Sequence, residues 1–204
     1  MTKQRRFVDY AKDPVTVARR LLGQRLVRIV NGKRLAGTII EVEAYLGAKD
    51  EACHTFDGRR TKRNESMYLE AGHSYVYFTY GMHYCMNVVC GRIDIDKGVA
   101  VLIRAIEPTQ GIDQMFRNRK AAKNEIQLCS GPAKLAQALE IDCALDGVDM
   151  RKSKQLFIEL IRPKIAPDSE IEQSARVGVA HAGFWADKQL RYFLRGYEGV
   201  SKWK

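Results

Sequence analysis

The sequence of 204 residues lacks the patterns that mark metalloproteins, disulfide-stabilised proteins and membrane proteins. Its five cysteines form no C-x-x-C pair, and its four histidines form no H-E-x-x-H motif. Cys53-His54 is the one adjacent pair of potential ligands, and packed, reduced thiols are the simpler interpretation. No run approaches the roughly 20 apolar residues of a membrane helix. We therefore expect no metal, no cofactor and no membrane association.

Acidic residues are also scarce relative to basic ones. The chain has 34 Lys and Arg against 24 Asp and Glu, a formal net charge of +10. Such an excess favours polyanionic partners, although charge alone fits a soluble basic protein equally well. The length fits a single domain over residues 1–204. Residues 1–13 are basic but precede no apolar run, so we expect no secretory signal and a cytoplasmic protein.

Hydrophobic periodicity predicts an α+β fold. Helices are predicted at residues 14–22 and 132–139, each with a capping residue and a first-turn proline, and a basic helix is predicted at residues 112–123. Alternating segments predict strands at residues 25–30, 35–45, 74–80, 82–89, 99–105 and 189–194, and residues 153–174 are predicted as a strand followed by a loop. Mostly adjacent strands with few helices indicate a curved antiparallel sheet with peripheral helices and a protruding β-hairpin.

The strand at residues 39–45 carries the first candidate site. Alternation places Glu41, Glu43 and Tyr45 on one face, which is either exposed to solvent or lines a polar cleft. The loop that follows contains His54 and a basic cluster at residues 59–64, an arrangement suited to the rim of a site for a phosphate-bearing substrate. We interpret Glu41 as a supporting residue rather than a catalytic one.

The second candidate segment is the aromatic hairpin at residues 73–87, with its tip at residues 80–83. Folding there brings Tyr77 opposite or diagonal to Asn87. Its many aromatic rings exceed what one sheet face buries, and Val76 with Phe78 is the predicted core pair. A protruding tip with Tyr and Met side chains suits insertion between base steps of a duplex.

Together these segments meet the requirements of an enzyme that flips a base out of DNA. A glycosidic bond inside a duplex is inaccessible to water, so the nucleotide must swing into a pocket. This needs a plug for the vacated stack, aromatic walls for the base, a carboxylate near the sugar and cations for the distorted backbone. The sequence offers a candidate for each.

Several motifs, in order along nearly the whole chain, resemble those of the alkyladenine DNA glycosylase family, also called 3-methyladenine or N-methylpurine DNA glycosylases. The motifs are E-V-E-A-Y-L-G (41–47), D-E-x-x-H (50–54), T-x-R-N (61–64), Y-V-Y-x-x-Y-G-M (75–82), C-M-N (85–87), V-L-I-R-A-I-E-P (101–108), L-C-S-G-P-A-K-L (128–135) and A-R-V-G-V-A-H-A-G (175–183). Residues 91–97 and 115–126 match no diagnostic part of this pattern.

The resemblance implies roles for the reacting groups and the pocket. Glu43 corresponds to the general base that deprotonates the attacking water, and Arg104 to the arginine that helps to hold this water and the nearby backbone. Tyr45, His54 and Tyr77 correspond to the residues that enclose the flipped base, with His54 also placed to hydrogen-bond it.

It further implies roles at the hairpin. Asn87 corresponds to the residue that discriminates against guanine by crowding its exocyclic amino group. Tyr80 corresponds to the intercalating residue, with Met82 beside it. The implied partner is double-stranded DNA that contains damaged purines, and the implied enzyme is a monomer of the compact bacterial type, acting on the nucleoid.

The implied chemistry is monofunctional hydrolysis. A purine alkylated at N3 or N7 is a cation that leaves as a neutral base, so one carboxylate base suffices, and tyrosine faces attract the cationic ring. No lysine nucleophile for strand cleavage is indicated. Two other classes stay open on the residues alone: a non-catalytic nucleic-acid-binding module and a hydrolase of free nucleosides. The latter leaves the basic excess and the hairpin unexplained.

Overall fold

The polypeptide folds around one long strand, which carries both candidate carboxylates. The computed structural model describes residues 8–92 and 95–201, so residues 93–94 of the unassigned 91–97 stretch and residues 1–7 of the N-terminal segment lie outside the described residues. The elements are α1 (Pro14–Leu21), β1 (Arg25–Val30), β2 (Lys33–Tyr45), β3 (Ser74–Thr79), β4 (His83–Val89), β5 (Ala100–Gln110), α2 (Ile112–Asn118), α3 (Glu125–Cys129), α4 (Pro132–Ala138), β6 (Leu156–Glu159), β7 (Ile171–Ser174) and β8 (Arg191–Leu194).

The strands form an antiparallel sheet in the order β3-β4-β5-β2-β1-β6, and β8 joins β7 to the second half of β2. The pairing of β2 with β5 shifts register after Ala36, after Ile39 and after Glu41. Such irregularities bend a strand and increase its twist. Strand β2 can therefore pair with β1 at its start and with β8 near its end. The prediction of an α+β fold on a curved antiparallel sheet is confirmed.

The main hydrophobic core lies between the sheet and the helices. Helix α1 packs on β2 and β5, while α4 packs on β4 and β5. Ile40, Val42 and Ala44 of β2 are buried in this core. The alternation of the strand consequently directs Glu41, Glu43 and Tyr45 away from it. The core thus fixes which face of β2 is available for chemistry.

Strands β3 and β4 form the predicted hairpin. Tyr80 and Gly81 both have positive φ, 51° and 69°, as the favoured two-residue hairpin turns require. Tyr75 pairs with Asn87, so Tyr77 is diagonal to Asn87, one of the two predicted arrangements. The predicted core pair is half wrong, because Val76 is buried but Phe78 is 44% exposed. Phe78 lies where the ribbon extends beyond the core, and the ring of Tyr84 packs against it with centroids 5.2 Å apart.

The other differences from prediction lie in the second half of the chain. The helix predicted over residues 112–123 ends at Asn118, where the N–H of Arg119 bonds to the carbonyls of Met115 and Phe116. Helix α3 and strand β7 were not predicted as such, since each is short and depends on distant partners. Strand β7 forms by pairing with β8. No helix in the described part of the chain has the length and apolarity needed to cross a bilayer.

Candidate active site

A cavity of about 640 Å³ opens beside the hairpin, at the end of β2. Its lining combines β2 and β5, the hairpin, the segment after β2, the start of α4 and the loop that precedes β8. All predicted site residues except Met82 contribute to it: Glu43, Tyr45, His54, Tyr77, Tyr80, Asn87 and Arg104. The structure therefore brings together residues that are up to 61 positions apart, Glu43 and Arg104 being the two extremes.

Glu43 lies at the cavity lining with its side chain fully buried. Its Oε1 accepts a hydrogen bond of 2.7 Å from the backbone N–H of Val177 and lies 3.1 Å from Nη1 of Arg104. Its Oε2 accepts a hydrogen bond of 2.9 Å from the hydroxyl of Tyr45. Since each carboxylate oxygen can accept about two hydrogen bonds, Oε2 is the atom with spare acceptor capacity.

Arg104 is shared between the two carboxylates of β2. Its Nε donates to Oε1 of Glu41 at 2.7 Å, and Arg191 donates to the same oxygen at 2.7 Å. The Ser201 N–H and hydroxyl bind the other oxygen of Glu41. Burial alone would raise the pKa of Glu41, but Arg104, the Ser201 N–H and Arg191 outweigh burial and lower it. Glu41 therefore stays ionised and supports Arg104, in agreement with its interpretation as a supporting residue.

Aromatic rings form much of the wall. His54 and Tyr77 meet edge to face with ring centroids 4.7 Å apart, and Tyr75 stacks on Tyr77 at 5.2 Å. Nδ1 of His54 shares a hydrogen bond of 2.7 Å with the Tyr75 hydroxyl. Burial, helped by the positive charges of Arg63 and Arg59, lowers the pKa of His54 to about 4. The ring is consequently neutral at physiological pH and adds no cation to the cavity.

Asn87 is buried in the cavity lining on β4. Its side-chain Nδ2 donates to the carbonyl of Tyr75 across the hairpin at 3.1 Å. This bond fixes the amide plane, so the carboxamide has a defined position beside the rings. A fixed group of this size can restrict which base edges fit into the cavity.

The hairpin tip projects into solvent next to the cavity. Tyr80 is 84% exposed and also contributes to the lining, whereas Met82 is 70% exposed and lies outside it. Tyr80 also has a positive φ, which is uncommon in a non-glycine residue and costs energy. The tip therefore presents a ring at the mouth of the cavity.

Three lining or supporting groups were not predicted as site residues. Tyr75 holds His54, the N–H of Val177 holds Glu43, and Arg176 lies over the ring of Tyr45. Tyr75 and the 175–183 segment were visible only as parts of longer motifs, and a backbone N–H leaves no signal in a sequence. Within the described ranges, no three His, Cys, Asp or Glu side chains are grouped as a metal site would require.

Comparison with known proteins identifies the relatives of this chain. The sequence pattern of the methylpurine-DNA glycosylase family matches residues 8–198. A Carboxydothermus hydrogenoformans protein named "Putative 3-methyladenine DNA glycosylase" is 47% identical over 193 residues, which cover 95% of this chain and 96% of that protein. The DNA-3-methyladenine glycosylases of Homo sapiens and Mus musculus are 42% and 40% identical, each over 92% of this chain.

The mammalian proteins are longer, and the matched regions cover 64% of the human protein and 58% of the mouse protein. The match to the bacterial relative is close to complete in both directions. The predicted resemblance is therefore confirmed: the chain belongs to the methylpurine-DNA glycosylase family, a family of hydrolases that act on N-glycosyl bonds in DNA.

Proposed function

We propose that this glycosylase removes alkylated and deaminated purines from duplex DNA, with 3-methyladenine, 7-methylguanine, hypoxanthine and ethenoadenine as substrates. The observation that carries the proposal is the position of Glu43, whose carboxylate lies in a cavity lined by aromatic rings beside the exposed Tyr80. A base inside a duplex cannot reach such a cavity, so the damaged nucleotide must be flipped out of the stack. The partner is damaged duplex DNA, which a monomer binds.

In the proposed reaction, Glu43 activates a water molecule. Oε2 accepts a proton from the water, and the water oxygen bonds to C1′ of the flipped nucleotide. The bond between C1′ and N9 breaks, and its electron pair leaves with the purine. The products are the free base, a protonated Glu43 and an abasic site with a hydroxyl group at C1′. Arg104, 3.1 Å from Oε1, holds the carboxylate in place through an ion pair.

The cavity walls support the choice of purines as substrates. Tyr45 and Tyr77 line the cavity. Aromatic rings of this kind attract cationic bases with about 0.5 to 2 kcal/mol per contact. An alkylated base leaves as a neutral molecule and needs no acid. A neutral base gains from a hydrogen bond, and His54 can provide one, because a neutral imidazole has one donor and one acceptor nitrogen.

The hairpin and Asn87 account for the remaining roles. Tyr80 fills the gap in the stack, with Met82 beside it at the tip, and both side chains are exposed enough to enter the duplex. Asn87, held by the Tyr75 carbonyl, crowds the exocyclic amino group of guanine and thereby protects normal guanine.

The proposal is tested with duplex oligonucleotides that contain hypoxanthine, ethenoadenine or 7-methylguanine, incubated with the protein in EDTA. We expect release of the free base, with strands that break only after hot alkali. Glu43→Gln should abolish base release and retain DNA binding. Glu107→Gln, an exposed carboxylate on β5 outside the cavity, is the matched control and should stay fully active.

Three outcomes would contradict the proposal. Undiminished base release by Glu43→Gln would exclude its role as the base. Strand breaks without alkali would contradict the monofunctional reaction. Salt-independent activity on free nucleosides, without activity on duplexes, would favour a nucleoside hydrolase, because phosphate contacts make DNA binding depend on salt.

A further inference from the structure

Two residues that have no part in the proposed reaction, one from each of two separate motifs, meet in the structure. Asp50 follows the end of β2, and Arg176 begins the loop after β7. Nη1 and Nη2 of Arg176 bind Oδ2 and Oδ1 of Asp50 at 2.6 and 2.8 Å, a two-pronged ion pair across 126 positions of the chain. Both side chains are fully buried, and neither contributes to the cavity lining.

Arg176 backs one wall of the cavity. The centre of its guanidinium lies 4.7 Å from the ring centroid of Tyr45, and Tyr45 separates it from the cavity. Further bonds fix the guanidinium, since Nη1 donates to the carbonyl of Ala44 at 3.0 Å and Nη2 to that of Trp185 at 3.2 Å. These contacts fix the position of Arg176 relative to Tyr45, Ala44 and Trp185.

The same segment holds the carboxylate of Glu43. Val177 follows Arg176 directly, and its backbone N–H donates the 2.7 Å hydrogen bond to Oε1 of Glu43. The Tyr45 hydroxyl binds the other carboxylate oxygen. Besides Arg104, two groups therefore orient the Glu43 carboxylate, the Val177 N–H and the Tyr45 hydroxyl. The positions of both depend on the position of Arg176.

The cost of this pair argues against a role in stability alone. Removing two charges from water is expensive, and well-packed apolar residues of similar size often give equal or greater stability. In addition, Nε of Arg176 is buried and has no hydrogen-bond acceptor among the described residues. A donor left without an acceptor is a penalty that packing alone does not require.

We propose that Asp50 and Arg176 are positioning residues of the glycosylase reaction: Asp50 fixes Arg176, and Arg176 sets the Tyr45 wall and, through Val177, the direction of the Glu43 carboxylate. This inference rests on the proposed role of Glu43. Misplacement of a reacting group by about 1 Å costs about 100-fold in rate. Loss of the pair should therefore slow the chemical step and leave DNA affinity unchanged, because neither buried side chain is available to DNA.

The test compares Arg176→Met and Asp50→Asn with the wild-type protein on a hypoxanthine duplex. We expect Arg176→Met to lower the single-turnover rate of base release by about 30- to 100-fold, within the range that such misplacement produces. Its Kd for an abasic duplex should stay within about twofold of wild type, since that affinity comes from phosphate contacts elsewhere. The double variant should be no faster than Arg176→Met, because neutralising the pair does not restore the contacts to Tyr45 and Ala44.

A matched control and a conservative variant separate positioning from general destabilisation. Arg151 forms a similar two-pronged pair with Asp149 outside the cavity, at 2.8 and 3.0 Å, so Arg151→Met should keep the wild-type rate. Arg176→Lys keeps the charge but lacks the planar fork. It should fold with a wild-type thermal midpoint and still release base at least about tenfold more slowly, a smaller misplacement than that of the methionine variant.

Either of two results would overturn the inference. One is a rate within about threefold of wild type for Arg176→Lys or for the double variant, since positioning predicts losses well above this. The other is an equal loss of rate in Arg176→Met and Arg151→Met when both variants have the same drop in thermal midpoint, because the loss would then follow from destabilisation. A wild-type protein that releases no base would instead contradict the proposed function itself.

Discussion

The hydroxyl of Tyr45 donates a hydrogen bond to the carboxylate of Glu43, at 2.9 Å between two residues on one face of one strand. Burial and the nearby Glu43 carboxylate raise the pKa of Tyr45 well above its usual value, so the hydroxyl stays protonated and is the donor. One side chain thus serves both as a wall of the cavity and as a support for the proposed base.

The double role of Tyr45 predicts a graded effect of its substitution. Tyr45→Phe removes one hydrogen bond of about 0.5 to 1.5 kcal/mol and should slow base release by about 2- to 12-fold. Tyr45→Ala removes the ring as well and should be slower still. Single-turnover assays on a hypoxanthine duplex measure both rates, and Tyr197→Phe, outside this cavity, is the control for loss of a hydroxyl. Equal rates for Tyr45→Phe and the wild type would contradict the orienting role.

Period-two alternation was enough to predict which face of β2 carries Glu43 and Tyr45. Glu41, Glu43 and Tyr45 share a face because alternation is a local property of a strand, and the opposite face is marked by apolar residues. The contacts that complete the site are not local. The Asp50–Arg176 pair and the Val177 N–H depend on where the loop after β7 lies relative to β2. Strand β8 fixes this position, because it pairs with β2 and with β7.

Phe78 illustrates a second limit of alternation. The pattern places it on the same face of β3 as Val76, yet it is exposed because the hairpin extends past the helices that would cover it. A sequence pattern gives the direction of a side chain relative to the strand. Whether another element lies in that direction is a property of the tertiary fold.

The exposed ring of Tyr80 should matter for duplex DNA and not for single strands. Tyr80→Ala should slow release of hypoxanthine from a duplex by about tenfold or more, since filling the vacated stack offsets an unstacking cost of a few kcal/mol. Release from a single strand should be unchanged, because no neighbouring stack has to be separated. Fluorescence of 2-aminopurine beside the lesion reports the flipping step.

The control for this substitution is Ile161→Ala. Ile161 is an exposed apolar residue that follows β6, at the other end of the strand order from the hairpin. It should leave both rates unchanged. If Tyr80→Ala slows both substrates equally, the ring acts on the reaction and not on the opening of the duplex.

His54 should remain neutral well into the acidic range. Burial and the charges of Arg63 and Arg59 lower its pKa to about 4, so an NMR titration of labelled histidines should give a midpoint near 4 for the signal that His54→Gln removes. Arg63→Gln should raise that midpoint, because one of the repelling cations is lost. A midpoint near 6.5 in the wild type would contradict the neutral imidazole that the cavity offers to cationic bases.

The same shift makes stability depend on pH. Because the folded pKa lies below the ordinary value near 6.5, acidification protonates His54 in the unfolded chain before it does so in the folded one. His54 therefore reduces stability progressively as pH falls from about 6.5 to about 4 and has no such effect at pH 7 and above. When the pH is lowered from 7 to 5, the free energy of unfolding measured with urea should fall further in the wild type than in His54→Gln.

Two glycines with the same backbone conformation should differ in their tolerance of a methyl group. Gly32 in the β1–β2 turn and Gly111 before α2 have φ of 72° and 75°. A Cβ at Gly32 would meet no atom within 4 Å, whereas one at Gly111 would lie 2.5 Å from Leu35 Cδ2 and 2.6 Å from the carbonyl oxygen of Arg34. Both alanine variants carry the backbone penalty of about 1 kcal/mol, and Gly111→Ala adds an overlap with backbone and core of about 1 to 3 kcal/mol.

Urea unfolding at pH 7 therefore separates the two contributions, with Gly32→Ala as the built-in control for backbone conformation. We expect Gly111→Ala to lower the free energy of unfolding by more than Gly32→Ala does, by the overlap term alone. The clash is with the start of β2, far along that strand from Glu43, so base release measured well below the unfolding transition should be the same in both variants. If Gly111→Ala and Gly32→Ala are equally stable, the junction between β5 and α2 moves by several tenths of an ångström at no cost in free energy. This result would contradict the close packing expected beside the buried Leu35.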